Sequence, residues 1–197
     1  MDWTEPKYPL SVSSFIAGQN HSTARSWFAK DLLYSKKDAR AEGQGDMSLV
    51  TGLSVLAHAI AVKLAALNCP AEIACRAARS FTDIASPREA PGFERGPGQL
   101  FDGSFTYLAA YPSGPAFVVR GSGWKKRKKN KETKEVEEIV EVASVDDLLI
   151  GRRECDGCWI VPLDFIVKHV TVELQKIDDA NKVVQAPKRH ARDLVKA

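Results

Sequence analysis

The sequence predicts an α+β protein in which a helical N-terminal part precedes a smaller mixed part. Residues 10 to about 85 carry alanine, leucine, valine and isoleucine at helical spacing. From residue 100 onward the chain has short β-branched and aromatic runs that are bounded by glycine, proline or serine, as strands are. Between the two parts, residues 86–99 contain three prolines and three glycines, which is typical of a connecting segment.

These shifts in composition predict four segments along the chain. We expect a helical domain over 10–85, a linker over 86–99, a small α+β domain over 100–177 and a mobile polar tail over 178–197. The second domain is predicted to hold a short helix after Ser144 and a final helix from Asp164 to about Ile177. Its strands are expected near 104–111, 116–120, 136–142 and 158–163.

The composition indicates a soluble globular protein of the cytoplasm. Hydrophobic residues make up 44% of the 197 residues and charged residues 27%, which allows a core of useful size. The apolar run from Val55 to Leu67 is shorter than the ~20 residues that a membrane span needs, so no membrane partner is expected. The N-terminus lacks the basic and then apolar pattern of a secretory signal, and the four cysteines form no obvious disulfide framework.

Two short helices are predicted on either side of Gly18. Val12, Phe15 and Ile16 would form the buried face of the first helix, over residues 11 to about 17, and Gly18 suits the left-handed backbone that ends it. Asn20 or Ser22 can cap a second helix that runs to about residue 33. The candidate inner face of the second helix consists of Ala24, Trp27, Phe28 and Leu32. Two short helices joined in this way are typical of a helix-turn-helix.

The segment after these helices strengthens that interpretation. Residues 34–50 run from basic through glycine-rich to apolar, as a small β-hairpin would. Thr51 can cap a long helix that ends near the plausible left-handed stop Asn68, and a last helix begins near Pro70. His58 lies within the apolar pattern of the long helix and is expected to be a core histidine.

The order of these elements resembles the winged helix-turn-helix DNA-binding domain of the MerR family. In that family a recognition helix of the form Thr-Leu-Arg-x-Trp follows a short turn, ends at Gly-Leu-Leu and precedes a glycine-containing wing. This sequence has Gly18-Gln19-Asn20, Thr23-Ala24-Arg25-Ser26-Trp27, Asp31-Leu32-Leu33 and the looser Gly43-Gln44-Gly45-Asp46-Met47-Ser48-Leu49 at the corresponding places. The resemblance covers about the first 85 residues and implies a regulator of transcription that binds double-stranded DNA as a homodimer. The long coiled-coil helix through which the family dimerises has no counterpart after residue 85, where the linker lies.

The resemblance also implies which residues contact DNA. The start of the second helix would read base edges, with Arg25 able to pair with guanine through two hydrogen bonds. These base-contacting candidates are His21, Ser22, Thr23, Arg25 and Ser26. Lys30, Lys36, Lys37, Arg40 and Gln44, at the end of that helix and in the wing, are candidates for contacts that include the phosphates.

A lysine-rich run in the second domain is the sharpest charge feature of the chain. Six of the seven residues from Lys125 to Lys131 are basic. The run could grip the DNA backbone without reading its sequence, or it could be a solvated loop between two strands. The candidates for such phosphate contacts are Lys125, Lys126, Arg127, Lys128 and Lys129.

Motifs that would carry catalysis are missing from the sequence. It has no glycine-rich phosphate loop, no zinc-protease helix motif and no nucleophile elbow, so we expect no enzyme and no cofactor. Cys155 and Cys158 have a zinc-chelating spacing but lack two further ligands nearby, and no metal site is expected; Cys69 and Cys75 are expected to be buried apolar filling. A small-molecule effector is conceivable but of unknown identity. Its candidate pocket would be lined by Phe105, Tyr107, Tyr111 and Trp159, which could equally be core residues.

Two other functions fit the same features. An architectural, excisionase-like factor would bend DNA instead of recruiting a polymerase. A protein-interaction module would use the helix-turn-helix against a partner protein and would never contact nucleic acid.

Overall fold

The computed structural model describes residues 2–33, 40–41, 48–84, 95–113, 116–121 and 157–194. Several predictions lie outside the described residues. They concern the strand at 136–142, the short helix after Ser144, the lysine-rich run 125–129 and the side chain of Cys155.

The described part of the chain contains five helices and two antiparallel three-stranded sheets, and this confirms the α+β class. The helices are α1 (Leu10–Ala17), α2 (His21–Ala29), α3 (Gly52–Ala66), α4 (Ala71–Thr82) and α5 (Leu163–Leu194). The first sheet, in the order β1-β3-β2, comprises β1 (Tyr8–Pro9), β2 (Arg40–Ala41) and β3 (Ser48–Val50). The second sheet, in the order β5-β4-β6, comprises β4 (Thr106–Ala110), β5 (Phe117–Arg120) and β6 (Trp159–Pro162).

The ends of the N-terminal helices follow local chemistry that the sequence shows. Gly18 has the left-handed φ of 70° that ends α1. The side chain of Asn20, not that of Ser22, caps α2 by accepting a hydrogen bond from the Ser22 amide. Thr51 caps α3 in the same way, through the amide of Ser54, and Asn68 is left-handed as predicted.

Helix α2 ends at Ala29, earlier than predicted. Asp31 adopts a left-handed φ of 56°. The Leu32 amide then bonds the Trp27 carbonyl and the Asp31 amide bonds the Phe28 carbonyl, which is the Schellman pattern of a helix end. The chain turns back at this point, and Leu33 is buried.

One apolar cluster joins the two predicted domains. Helix α3 lies at its centre and packs against α1, α4, α5 and β6, while α4 also contacts β4 and β5. The end of the predicted linker already contacts this core, since the Gly98 amide donates to the Phe81 carbonyl. Gly98 has a φ of 69°, and a Cβ there would lie 2.6 Å from Leu53 Cδ2, so both conformation and space favour glycine.

Helix α5 extends beyond the end that the sequence predicted. It was expected to end near Ile177, but it continues to Leu194, even though Pro187 contributes no backbone N–H. The residues from Asp164 to Ala186 include no glycine or proline that would stop a helix. Asp178, the first residue of the predicted tail, accepts hydrogen bonds from Lys7 Nζ at 2.7 Å and from the Tyr8 hydroxyl at 3.1 Å.

Among the described helices, none is both long and apolar enough to cross a bilayer.

Because the two predicted domains share one core, the protein should unfold in a single cooperative transition. Leu174 on α5 is fully buried, so Leu174→Ala should lower the free energy of unfolding by about 2–5 kcal/mol. The matched control Val172→Ala, at an exposed position of the same helix, should cost well under half of that. Urea unfolding followed by both circular dichroism and tryptophan fluorescence measures the loss. Two separate transitions, with Leu174→Ala affecting one of them, would contradict a single core.

Candidate nucleic-acid interface

The start of α2 exposes every residue that the sequence predicted to read DNA bases. His21, Ser22, Thr23, Arg25 and Ser26 are all exposed. Lys30, directly after the helix, is also exposed. The structure thus exposes six predicted contact residues on, or directly after, one short helix.

The opposite side of α2 fixes the helix to the protein. Ala24 and Trp27 are buried, and α2 packs against α1. The Ala24 side chain is completely buried. The buried side of α2 therefore attaches the helix to α1, and the polar residues of its other side remain exposed.

Beneath the turn between α1 and α2 lies a buried polar cluster around His58 of α3. The ring Nε2 is 2.7 Å from Gln19 Oε1, and Nδ1 is 2.8 Å from Ser13 Oγ. Because an amide oxygen can only accept, Nε2 carries the proton and donates to Gln19, and Nδ1 accepts from the Ser13 hydroxyl. The Trp27 ring lies 6.0 Å from the imidazole, centroid to centroid. The prediction of a satisfied core histidine is confirmed.

Burial determines the protonation state of His58. Removal from water disfavours the imidazolium form and lowers its pKa from 6.5 to about 4. The ring is therefore neutral at physiological pH. Its partner Ser13 is also fully buried, so this serine–histidine pair presents no nucleophile to a substrate.

Two strands lie within the segment 34–50, where the sequence predicted a hairpin. Strand β3 pairs antiparallel with β2, with Arg40 opposite Leu49, and with β1, where Tyr8 is opposite Val50. Arg40 thus lies in the strand that follows α2, although its side chain falls outside the described residues. Lys36, Lys37 and Gln44 also lie outside them, as do the lysine-rich candidates in the second domain.

One prediction for α1 is wrong. Phe15 was placed on the buried face, but 78% of its surface is exposed. The buried face instead includes Ser13 and Ser14, because Ser13 bonds His58 and the Ser14 hydroxyl donates to the Leu10 carbonyl. Paired hydroxyls can be buried at little cost, which a pattern of apolar residues alone does not reveal.

Sequence reasoning missed an exposed aromatic groove beside the turn. Phe15 and Phe165, the latter 68% exposed, line a groove of about 430 Å³ together with Gly18, Lys63 and His169. His169 on α5 bonds the carbonyl of Ile16 near the end of α1 at 3.2 Å. The groove joins residues about 150 positions apart in the chain, so no local signal could have indicated it.

The aromatic residues considered for an effector pocket lie in and beside the second sheet. Tyr111 is buried and packs edge-on against Phe117, whereas Phe105, Tyr107 and Trp159 are half-buried. Cys69 and Cys75 are buried as expected, and burial raises the pKa of the Cys75 thiol to about 12. Within the described ranges no three histidine, cysteine or acidic side chains are grouped as metal ligands.

No protein-family model matches the sequence, and no curated protein matches it significantly.

The buried imidazole predicts a specific dependence of stability on pH. The folded state favours neutral His58, so its contribution is complete above the unfolded pKa of 6.5 and is lost as the pH falls toward about 4. From pH 7 to pH 5 the free energy of unfolding should therefore fall by about 2 kcal/mol more in the wild type than in His58→Gln, which cannot titrate. Urea denaturation of both proteins across this range measures the difference. Parallel pH profiles would show that His58 does not titrate as described.

Proposed function

We propose that the protein is a sequence-specific DNA-binding regulator of transcription, built as a winged helix-turn-helix of the MerR type. In this proposal α2 enters the major groove and the hairpin of β2 and β3 contacts the DNA backbone. The observation that carries the proposal is the start of α2. Asn20 caps the helix there, its polar residues are exposed, and Ala24 and Trp27 are buried on its other side. The order of elements supports it, since a paired hairpin follows the two helices directly.

The chemistry of the exposed α2 residues suits base recognition. The guanidinium of Arg25 can donate two parallel hydrogen bonds to guanine, which gives both affinity and discrimination. Ser22, Thr23 and Ser26 supply hydroxyls that can donate or accept, and so can pair with several base edges or with phosphates. No acidic residue lies within α2 itself, so none of its own carboxylates repels the DNA.

Phosphate contacts would have to come mainly from outside α2. Helix α2 contains no lysine; the exposed Lys30 directly follows it, and Asp31 comes next. We therefore assign backbone contacts to Lys36, Lys37 and Arg40 around the hairpin, with Gln44 beside them. We assign phosphate contacts that do not depend on the DNA sequence to the lysine-rich run 125–129.

The proposed assembly is a homodimer in the cytoplasm. A single recognition helix reads only a few base pairs, and two copies would read half-sites about 34 Å apart. The role requires no catalytic residue and no cofactor, and a small-molecule effector would be an addition to it.

The experiment that tests the function is selection of bound duplexes from random DNA, followed by affinity measurements on the enriched sequence. Arg25→Ala should weaken binding to that sequence by about 1–3 kcal/mol and binding to a scrambled duplex much less. Arg76→Ala is the matched control, because Arg76 is an exposed arginine on α4. It should leave both affinities unchanged.

Other results of the selection would point to the competing functions. Uniform binding with a steep salt dependence that Arg25→Ala does not alter would favour an architectural factor. An absence of binding even at low salt would contradict the proposal and favour a protein-interaction module.

The proposed homodimer can be tested by measuring the molecular mass. Light scattering should give twice the 21.6 kDa of one chain, and the selected sequence should contain two related half-sites. A mass of one chain, both free and on DNA, would contradict the homodimer.

A further inference from the structure

We propose that the hydrogen bond from His58 to Gln19 positions α2 for DNA recognition, whereas the bond between the same ring and Ser13 contributes only stability. The inference rests on the proposed DNA-binding function. His58 lies on α3, which carries no proposed DNA contact. In this inference it is a positioning residue for α2, the helix that would contact the bases.

Gln19 is the middle residue of the turn that sets the direction of α2. The turn consists of Gly18, Gln19 and Asn20. Gly18 has no side chain, and the Asn20 side chain is used within α2 to cap the Ser22 amide and to accept from the Ser22 hydroxyl. Gln19 is thus the turn residue whose side chain reaches another element, namely α3.

The turn has little apolar packing that could replace this bond. Gly18 and Asn20 are exposed and Gln19 is half-buried. The other backbone bonds of the turn are local ones, from the Gly18 amide to the Phe15 carbonyl, from the Gln19 amide to the Ser14 carbonyl and from the Ala24 amide to the Asn20 carbonyl. Beside the turn, Ser14 Oγ and His21 Nδ1 make a long contact of 3.4 Å between α1 and α2. A bond of 2.7 Å to a buried ring therefore connects the turn to α3, a helix with ten of its fifteen residues buried.

The bond to Ser13 lies in a different setting. Ser13 is within α1, which packs extensively on α3 through neighbouring apolar residues such as Ile16 and Ala17. Loss of that bond leaves a buried hydroxyl to be satisfied elsewhere, which lowers stability, but apolar packing still holds α1 in place. The two nitrogens of one ring thus serve different purposes.

Two substitutions of His58 separate these purposes. The amide of His58→Gln reaches the position of Nε2 and can still donate to Gln19. The shorter amide of His58→Asn reaches the position of Nδ1 and can still accept from Ser13, but it stops short of Gln19. Both variants lose the ring, so both should lower the thermal midpoint, and a purely structural role would affect DNA binding equally in both.

The decisive readout is the ratio of affinities for the selected and the scrambled duplex, measured well below both thermal midpoints. In His58→Asn this ratio should fall about five- to tenfold below that of the wild type, as expected for the loss of one hydrogen bond. In His58→Gln it should stay within about twofold of the wild-type ratio. Gln19→Ala, which leaves the buried ring in place, should reproduce the loss. Its matched control is Gln99→Ala, which removes an exposed glutamine whose side chain bonds the Gly96 amide.

Amide hydrogen exchange tests the same bond without DNA. Exchange at residues 19–22 should accelerate in His58→Asn and Gln19→Ala but not in His58→Gln. Equal discrimination by the two His58 variants, or unchanged discrimination in Gln19→Ala, would overturn the inference and leave the DNA-binding proposal intact. If the wild type binds no duplex, the proposed function fails, and the exchange pattern still decides whether the bond holds the turn.

Discussion

The enclosure of α3 is the constraint on which the rest of the structure depends. Ten of its fifteen residues are buried, so the helix must be covered on nearly every side. Helices α1, α4 and α5 and strand β6 provide the cover, which is why the two predicted domains share one core. His58 is the histidine in this apolar helix, and the cost of burying its ring without partners requires Ser13 and Gln19 to lie where they do.

Local chemistry made much of the N-terminal fold predictable. A glycine after α1, an asparagine before α2 and a threonine before α3 each act within a few residues, so the sequence alone indicated these boundaries. The buried face of α1 could not be predicted in the same way. Ser13 is buried because its partner His58 lies 45 residues further along the chain, and helical periodicity carries no information about such a pairing.

In the candidate interface, too, some features follow from local sequence and others depend on residues far apart in the chain. The exposed side of α2 follows from its buried side, since Ala24 and Trp27 indicate which face packs inward. The aromatic groove depends on how α5 lies against α1, and that arrangement arises only in the assembled fold. The continuation of α5 past Asp178 was missed because a polar helix and a mobile tail have similar compositions.

The proposed function depends most on contact between the N-terminal face of α2 and DNA. Two-dimensional ¹H–¹⁵N NMR spectra, recorded while the selected duplex is added to the labelled protein, test it most directly. Binding through α2 should give the largest amide shifts at residues 20–26, smaller shifts around β2 and β3, and almost none along α4. Shifts confined to α4 or to the second sheet would show that another surface binds DNA and would contradict the assignment of α2.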